Sequence, residues 1–89
     1  MIEEELPVSF TVYPNPTQAA FMIKHNKIWE GNVKFALMDM TGKTVRSMDL
    51  SSDVSGQVIN VSDLSAGIYF GIWRLNGEVL QGERIIIQP

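Results

Sequence analysis

The chain predicts an all-β antiparallel sandwich of about seven short strands, and three observations carry that reading. Apolar residues recur with period two along most of its length, turn signals separate the runs, and no segment has helical spacing. With 89 residues there is material for one domain and a single core, which buries about two-thirds of the unfolded surface.

Each element has its own signal. Phe10, Thr11, Val12 and Tyr13 alternate as a strand and stop at Pro14-Asn15-Pro16. Each proline fixes its own φ, lacks an N–H and drives its predecessor toward extended geometry, so the run reads as an edge strand protected against further pairing. Phe21, Ile23 and His25 alternate with Met22 and Lys24, and Val33, Phe35 and Leu37 alternate with Lys34, Ala36 and Met38, giving two half-buried strands. Thr41-Gly42-Lys43 supplies a hairpin turn in which Gly42 can take a left-handed conformation. Over residues 44–50 the phase slips, because Val45 cannot share a face with Met48 and Leu50; a bulge near Arg46 and Ser47 is expected.

Residues 51–56 are a loop by composition, and residues 58–61 form a short strand with Ile59 and Val61 on one face. Residues 68–75 are apolar on both faces, the pattern of a central strand covered on each side. Asn76-Gly77 is a strong type I′ hairpin signal. It leads into a last strand over residues 78–87, with a bend expected at Gly82 and with Ile85 and Ile87 facing inward. Residues 1–7 read as a charged linker remnant from a larger parent protein, leaving 8–89 as the domain.

Composition narrows the function. A net charge of −3 and seven scattered basic residues form no patch to neutralise phosphates, so neither nucleic acid nor an anionic membrane surface is an expected partner. No apolar run approaches the roughly 20 residues of a spanning helix, and direct membrane insertion is not expected. The lack of cysteine excludes a disulfide, a thiolate zinc site and a cysteine nucleophile. His25 is the single histidine and sits in phase with Phe21 and Ile23, so a structural role is expected. Asp39, Asp49, Asp53 and Asp63 are dispersed without the spacing of a calcium loop. Asp63 is expected to accept backbone N–H bonds from Ser65 and Ala66. No catalytic set, cofactor or metal is predicted.

Two surface readings remain from the residues themselves. Trp29, Trp73 and Tyr13 suit either core packing or a sugar-stacking platform, the latter making the chain a carbohydrate-binding or adhesive module. Met22, Met38 and Met40 fall at outward positions, where they cover a sheet flank or serve adaptable protein contacts.

Leu64-Ser65-Ala66-Gly67-Ile68-Tyr69-Phe70 adds a fold signature. Gly67 permits a tight turn into the strand, and the Tyr69 hydroxyl is placed to bond backbone a few residues upstream, the tyrosine corner of immunoglobulin-like sandwiches. Four segments in order then resemble the type A C-terminal sorting domain of the type IX (Por) secretion system. They are Tyr13-Pro14-Asn15-Pro16-Thr17; residues 37–45 around Asp39 and Gly42; residues 59–70 with Asp63, Leu64, Gly67 and Tyr69; and Arg84-Ile85-Ile86-Ile87. The chain departs from the family at Ala19 and Ala20, where glycine is usual, and at its end, where Arg84 precedes the isoleucines instead of following them.

The resemblance implies a domain carried by larger Gram-negative cargo that enters the periplasm on an ordinary signal peptide. The outer-membrane translocon then reads the domain, the cargo crosses, and a sortase-like peptidase commonly removes the domain before release or attachment at the cell surface. Cleavage is expected near Glu3 to Pro7. Arg84, Ile85, Ile86 and Ile87 are the expected recognition residues, and exposed strand edges leave room for a weak homodimer.

Overall fold

A computed structural model describes residues 8–54 and 56–89, so the linker expected over residues 1–7 lies outside the described residues. Seven strands follow one another: β1 (Phe10–Tyr13), β2 (Ala20–His25), β3 (Val33–Met38), β4 (Thr44–Leu50), β5 (Gly56–Asn60), β6 (Gly67–Leu75) and β7 (Glu78–Ile87). They form two antiparallel sheets, one ordered β1-β2-β5 and the other β4-β3-β6-β7. This is an immunoglobulin-like sandwich in which the fourth strand pairs with the third instead of joining the first sheet.

The alternation in the sequence becomes the core. Phe10, Val12, Phe21, Ile23, Val33, Phe35, Leu37, Ile59, Trp73, Ile85 and Ile87 point between the sheets and are buried. Trp73 is the centre: Phe10 stacks on it at 5.4 Å and Phe35 tilts against it at 4.8 Å. Such pairs contribute about 0.5–1.5 kcal/mol beyond the area they bury. Room for the Phe35 ring is left by Gly71 on β6, where an added Cβ would lie 2.8 Å from a Phe35 ring carbon and 3.0 Å from the Ile85 side chain. Any larger residue there would push apart two core side chains.

The turns form as the sequence predicts. Asn76 (φ 50°) and Gly77 (φ 90°) make the left-handed pair of a type I′ hairpin, and Gly42 turns β3 into β4 at φ 89°. The Tyr69 hydroxyl donates to Ser65 O at 2.7 Å, completing the tyrosine corner as β6 begins. Gly67 opens β6 at φ 158°, on the margin of extended backbone. Proline does end an edge strand: β1 lies at the border of its sheet, and the Tyr13-Pro14 and Asn15-Pro16 peptide bonds are both cis.

Four local expectations are corrected. The β4 bulge lies at Val45, which falls between the pairs Leu37–Arg46 and Met38–Thr44, so Arg46, Met48 and Leu50 share one face. The irregularity in β7 falls at Leu80, between the pairs Arg74–Val79 and Trp73–Gln81, while Gly82 stays in register with Ile72. The short fifth strand begins at Gly56, and Val61 lies just beyond it, donating its N–H to Ala19 O. Finally, β6 is central within its sheet but covered on one face only, since a two-layer sandwich has a single interior. Ile68 (38% exposed) and Phe70 (42% exposed) look outward.

Candidate functional site

The last strand is where the expected recognition residues lie, and alternation divides them. Ile85 and Ile87, 0% and 3% exposed, are core; Arg84 is exposed and Ile86 half-buried on the outer face of the four-stranded sheet. A partner meeting the folded domain can therefore touch Arg84 and Ile86, whereas Ile85 and Ile87 act through the packing that holds them.

The free edge of β7 is occupied by the proline segment. Asn15 Nδ2 donates to Arg84 O at 2.9 Å, and Asn15 Oδ1 accepts from Ile86 N at 3.0 Å, so one side-chain amide mimics a neighbouring strand. Thr17 continues the pairing in parallel: its N–H donates to Ile86 O at 2.9 Å, and Gln88 N donates to Thr17 O at 2.7 Å. The Thr17 hydroxyl, buried with the rest of the residue, donates to Ala20 O. Pro14 and Pro16, both exposed, bracket the clasp and hold Asn15 between them. Ala19 and Ala20, the departure from the family pattern, lead into β2 without disturbing it.

The same side of the sandwich is fastened a second time. Gln81 on β7 accepts from Phe10 N at 2.9 Å through Oε1 and donates to Phe10 O at 2.8 Å through Nε2. Nothing local in the sequence names the partner of Gln81. Gln81 faces inward in phase with Ile85 and Ile87, and the bulge at Leu80 joins that phase to the hairpin at Asn76-Gly77.

The remaining site residues take structural positions. Asp63 is ion-paired with Arg46, and among the described residues its carboxyl accepts no bond from Ser65 or Ala66. Turn capping falls to Asn60, whose Oδ1 accepts from Ser62 N at 2.9 Å and Ser62 Oγ at 2.8 Å. Leu64 packs half-buried against the core, and Gly42 sits at the tip of the β3–β4 hairpin. There Asp39 Oδ1 accepts from the Thr41 hydroxyl and from the Thr41 and Lys43 N–H groups. Those bonds, the Thr41 hydroxyl foremost, hold the Asp39 carboxyl below its ordinary 3.8.

Aromatic residues do not assemble a stacking platform. Trp73 has no exposed surface, and Trp29 is half-buried against the Phe10 and His25 rings, at 5.6 and 4.6 Å. His25 is held by both ring nitrogens, at 2.9 Å from Lys27 O and 2.7 Å from Val54 O, as a residue tying β2 to the following loops. Tyr13 looks out from the three-stranded sheet, with Lys24 Nζ 5.8 Å above its ring.

The outer face of the four-stranded sheet carries an apolar stripe. The register sets Met38 beside Phe70 beside Arg84, and Ala36 beside Ile72 beside Gly82. Met40, 70% exposed, overhangs this stripe from the hairpin.

Compared with known proteins, the chain has no match among characterised sequences. An immunoglobulin-like protein from Pseudomonas aeruginosa, known from its crystal structure, is similar at 8% identity and a TM-score of 0.49, with 94% of each chain covered. A family model for the secretion system C-terminal sorting domain matches residues 11–88, which takes in the clasp, the tyrosine corner and all of β7. The chain therefore belongs to the secretion system C-terminal sorting domain family, the sorting signals of type IX secretion.

Proposed function

We propose that this chain directs a larger cargo protein, carried on its N-terminal side, from the periplasm across the outer membrane, with residues 8–89 as the sorting domain and residues 1–7 as the linker. The observation that carries the reading is the sorting-domain match over residues 11–88. The partners are outer-membrane translocon components, which read the folded domain, and a sortase-like peptidase, which cuts near Glu3 to Pro7. Cargo is then released or attached at the cell surface. The domain acts as a substrate of this machinery, without chemistry of its own.

A reporter placed between a signal peptide and this chain, expressed in a type IX-competent host with and without the translocon, tests the reading. Surface reporter is expected in the competent strain alone, and equal export in both refutes it. The carbohydrate-binding alternative rests on Trp29 and Trp73, and Trp73 is fully buried, which leaves Trp29 as the one of the two with exposed surface. Saturable glycan binding lost in Trp29→Ala would restore that alternative.

A further inference from the structure

We infer that the notch floored by Gly82 on the outer face of the four-stranded sheet is the docking point for an apolar side chain, flanked by a carboxylate, presented by the secretion machinery. The inference rests on the sorting reading above and names the surface that reading requires. Gly82 lies in the outward row with Ala36 and Ile72, so two of the three positions carry little or no side chain. Next to this low row stands a tall one, Met38, Phe70 and Arg84, and Met40 closes the hairpin end. The result is a socket with adaptable apolar walls, the construction that methionine and an aromatic ring provide at protein contacts.

The backbone does not require glycine at position 82. The bulge lies at Leu80, Gly82 has no left-handed φ, and an added Cβ would meet nothing closer than Gly71 O at 3.8 Å. A strand interior ordinarily favours a larger residue, so the empty position is explained by what it leaves open.

Charge selects the occupant. Arg84 stands exposed at the rim, and among the described residues its guanidinium has no ion-pair partner. Two carboxylate residues also line the notch, and neither is paired with Arg84: Asp39 Oδ1 accepts from Thr41 and Lys43, and Glu83 Oε2 accepts from Asn15 Nδ2. The socket thus presents a guanidinium with no ion-pair partner among the described residues beside apolar walls, complementary to an apolar side chain next to an acid.

Gly82→Leu fills the socket and Arg84→Glu reverses its rim, and neither side chain belongs to the core. Both are tested in the reporter fusion, with Val58→Lys, on the exposed face of the other sheet, as control. Surface reporter is expected to fall about tenfold or more in each socket variant and to hold in the control, with thermal midpoints of the purified chains unchanged. Undiminished export of both socket variants, where wild-type export depends on the translocon, overturns the docking point and leaves the sorting reading standing. Wild-type export that is independent of the translocon removes the sorting reading itself. A concentration-dependent dimer of the wild-type chain in sedimentation, dissolved by Gly82→Leu, overturns the inference by giving the socket to a second copy.

Discussion

The two long sides of the sandwich are closed by different chemistry. Where β1 meets β7, the neutral amides of Asn15 and Gln81 bond directly to main-chain groups of the facing strand. Where β4 meets β5, closure rests on Arg46, whose Nε donates to Asn60 O at 3.1 Å and whose Nη2 pairs with an Asp63 that is largely exposed. The first side satisfies edge groups with short-range bonds that salt does not screen; the second places a charge at an edge and depends on its solution. Only the first holds the strand that carries Arg84 and Ile86.

Substitutions on the two sides should separate these modes. Gln81→Leu has the largest expected effect, because Phe10 N and O lose their partners in a partly buried setting. A loss of about 2–3 kcal/mol is expected in urea unfolding. A loss below about 0.5 kcal/mol would mean that water replaces the amide easily. Asn15→Ala follows, at about 1–2 kcal/mol, since the exposed Arg84 O and Ile86 N regain solvent. Its second expected signature is faster amide hydrogen exchange at Ile86, confined to the end of β7.

Arg46→Met probes the other side and should cost less than about 1 kcal/mol at low salt. The difference from wild type should shrink toward about 1 M salt, where the Debye length is about 3 Å. A salt-independent difference would show that the Asn60 contact, and not the ion pair, closes that side. The smallest effect is at Asp39, on the hairpin leading into β4. Its carboxyl sits below 3.8 when folded, so it stabilises the fold fully above that pH and ceases to as pH falls through the lowered value. Asp39→Ala should be slightly less stable than wild type near neutrality, with the gap closing only below pH 3.8.

What the sequence made legible was local. Alternation placed Phe21, Ile23, Val33, Phe35, Leu37, Ile85 and Ile87 inward, Asn76-Gly77 specified its turn, and the spacing from Leu64 to Tyr69 pointed to the tyrosine corner. Resemblance supplied the family. What stayed hidden depends on residues about 70 positions apart: the Asn15 amide on Arg84 and Ile86, and Gln81 on Phe10. A single amide side chain has no periodicity to betray its partner, and the partner is backbone, which has no identity to read. The outer face of β6 misled for a related reason, since Ile68 and Phe70 are as apolar as buried residues whether or not a layer covers them. Asp63 misled because a turn-capping role competes with any cation that the fold brings near.

The clasp between Asn15, Thr17 and the end of β7 also makes the domain sensitive to completeness. Its two halves are separated by 71 residues, from Asn15 to Ile86. A chain cut off before Arg84 takes away the main-chain partners of Asn15 and Thr17 on β7. Within the domain a motif made early is completed only by one made 71 residues later, so the clasp cannot form until everything between them has been made.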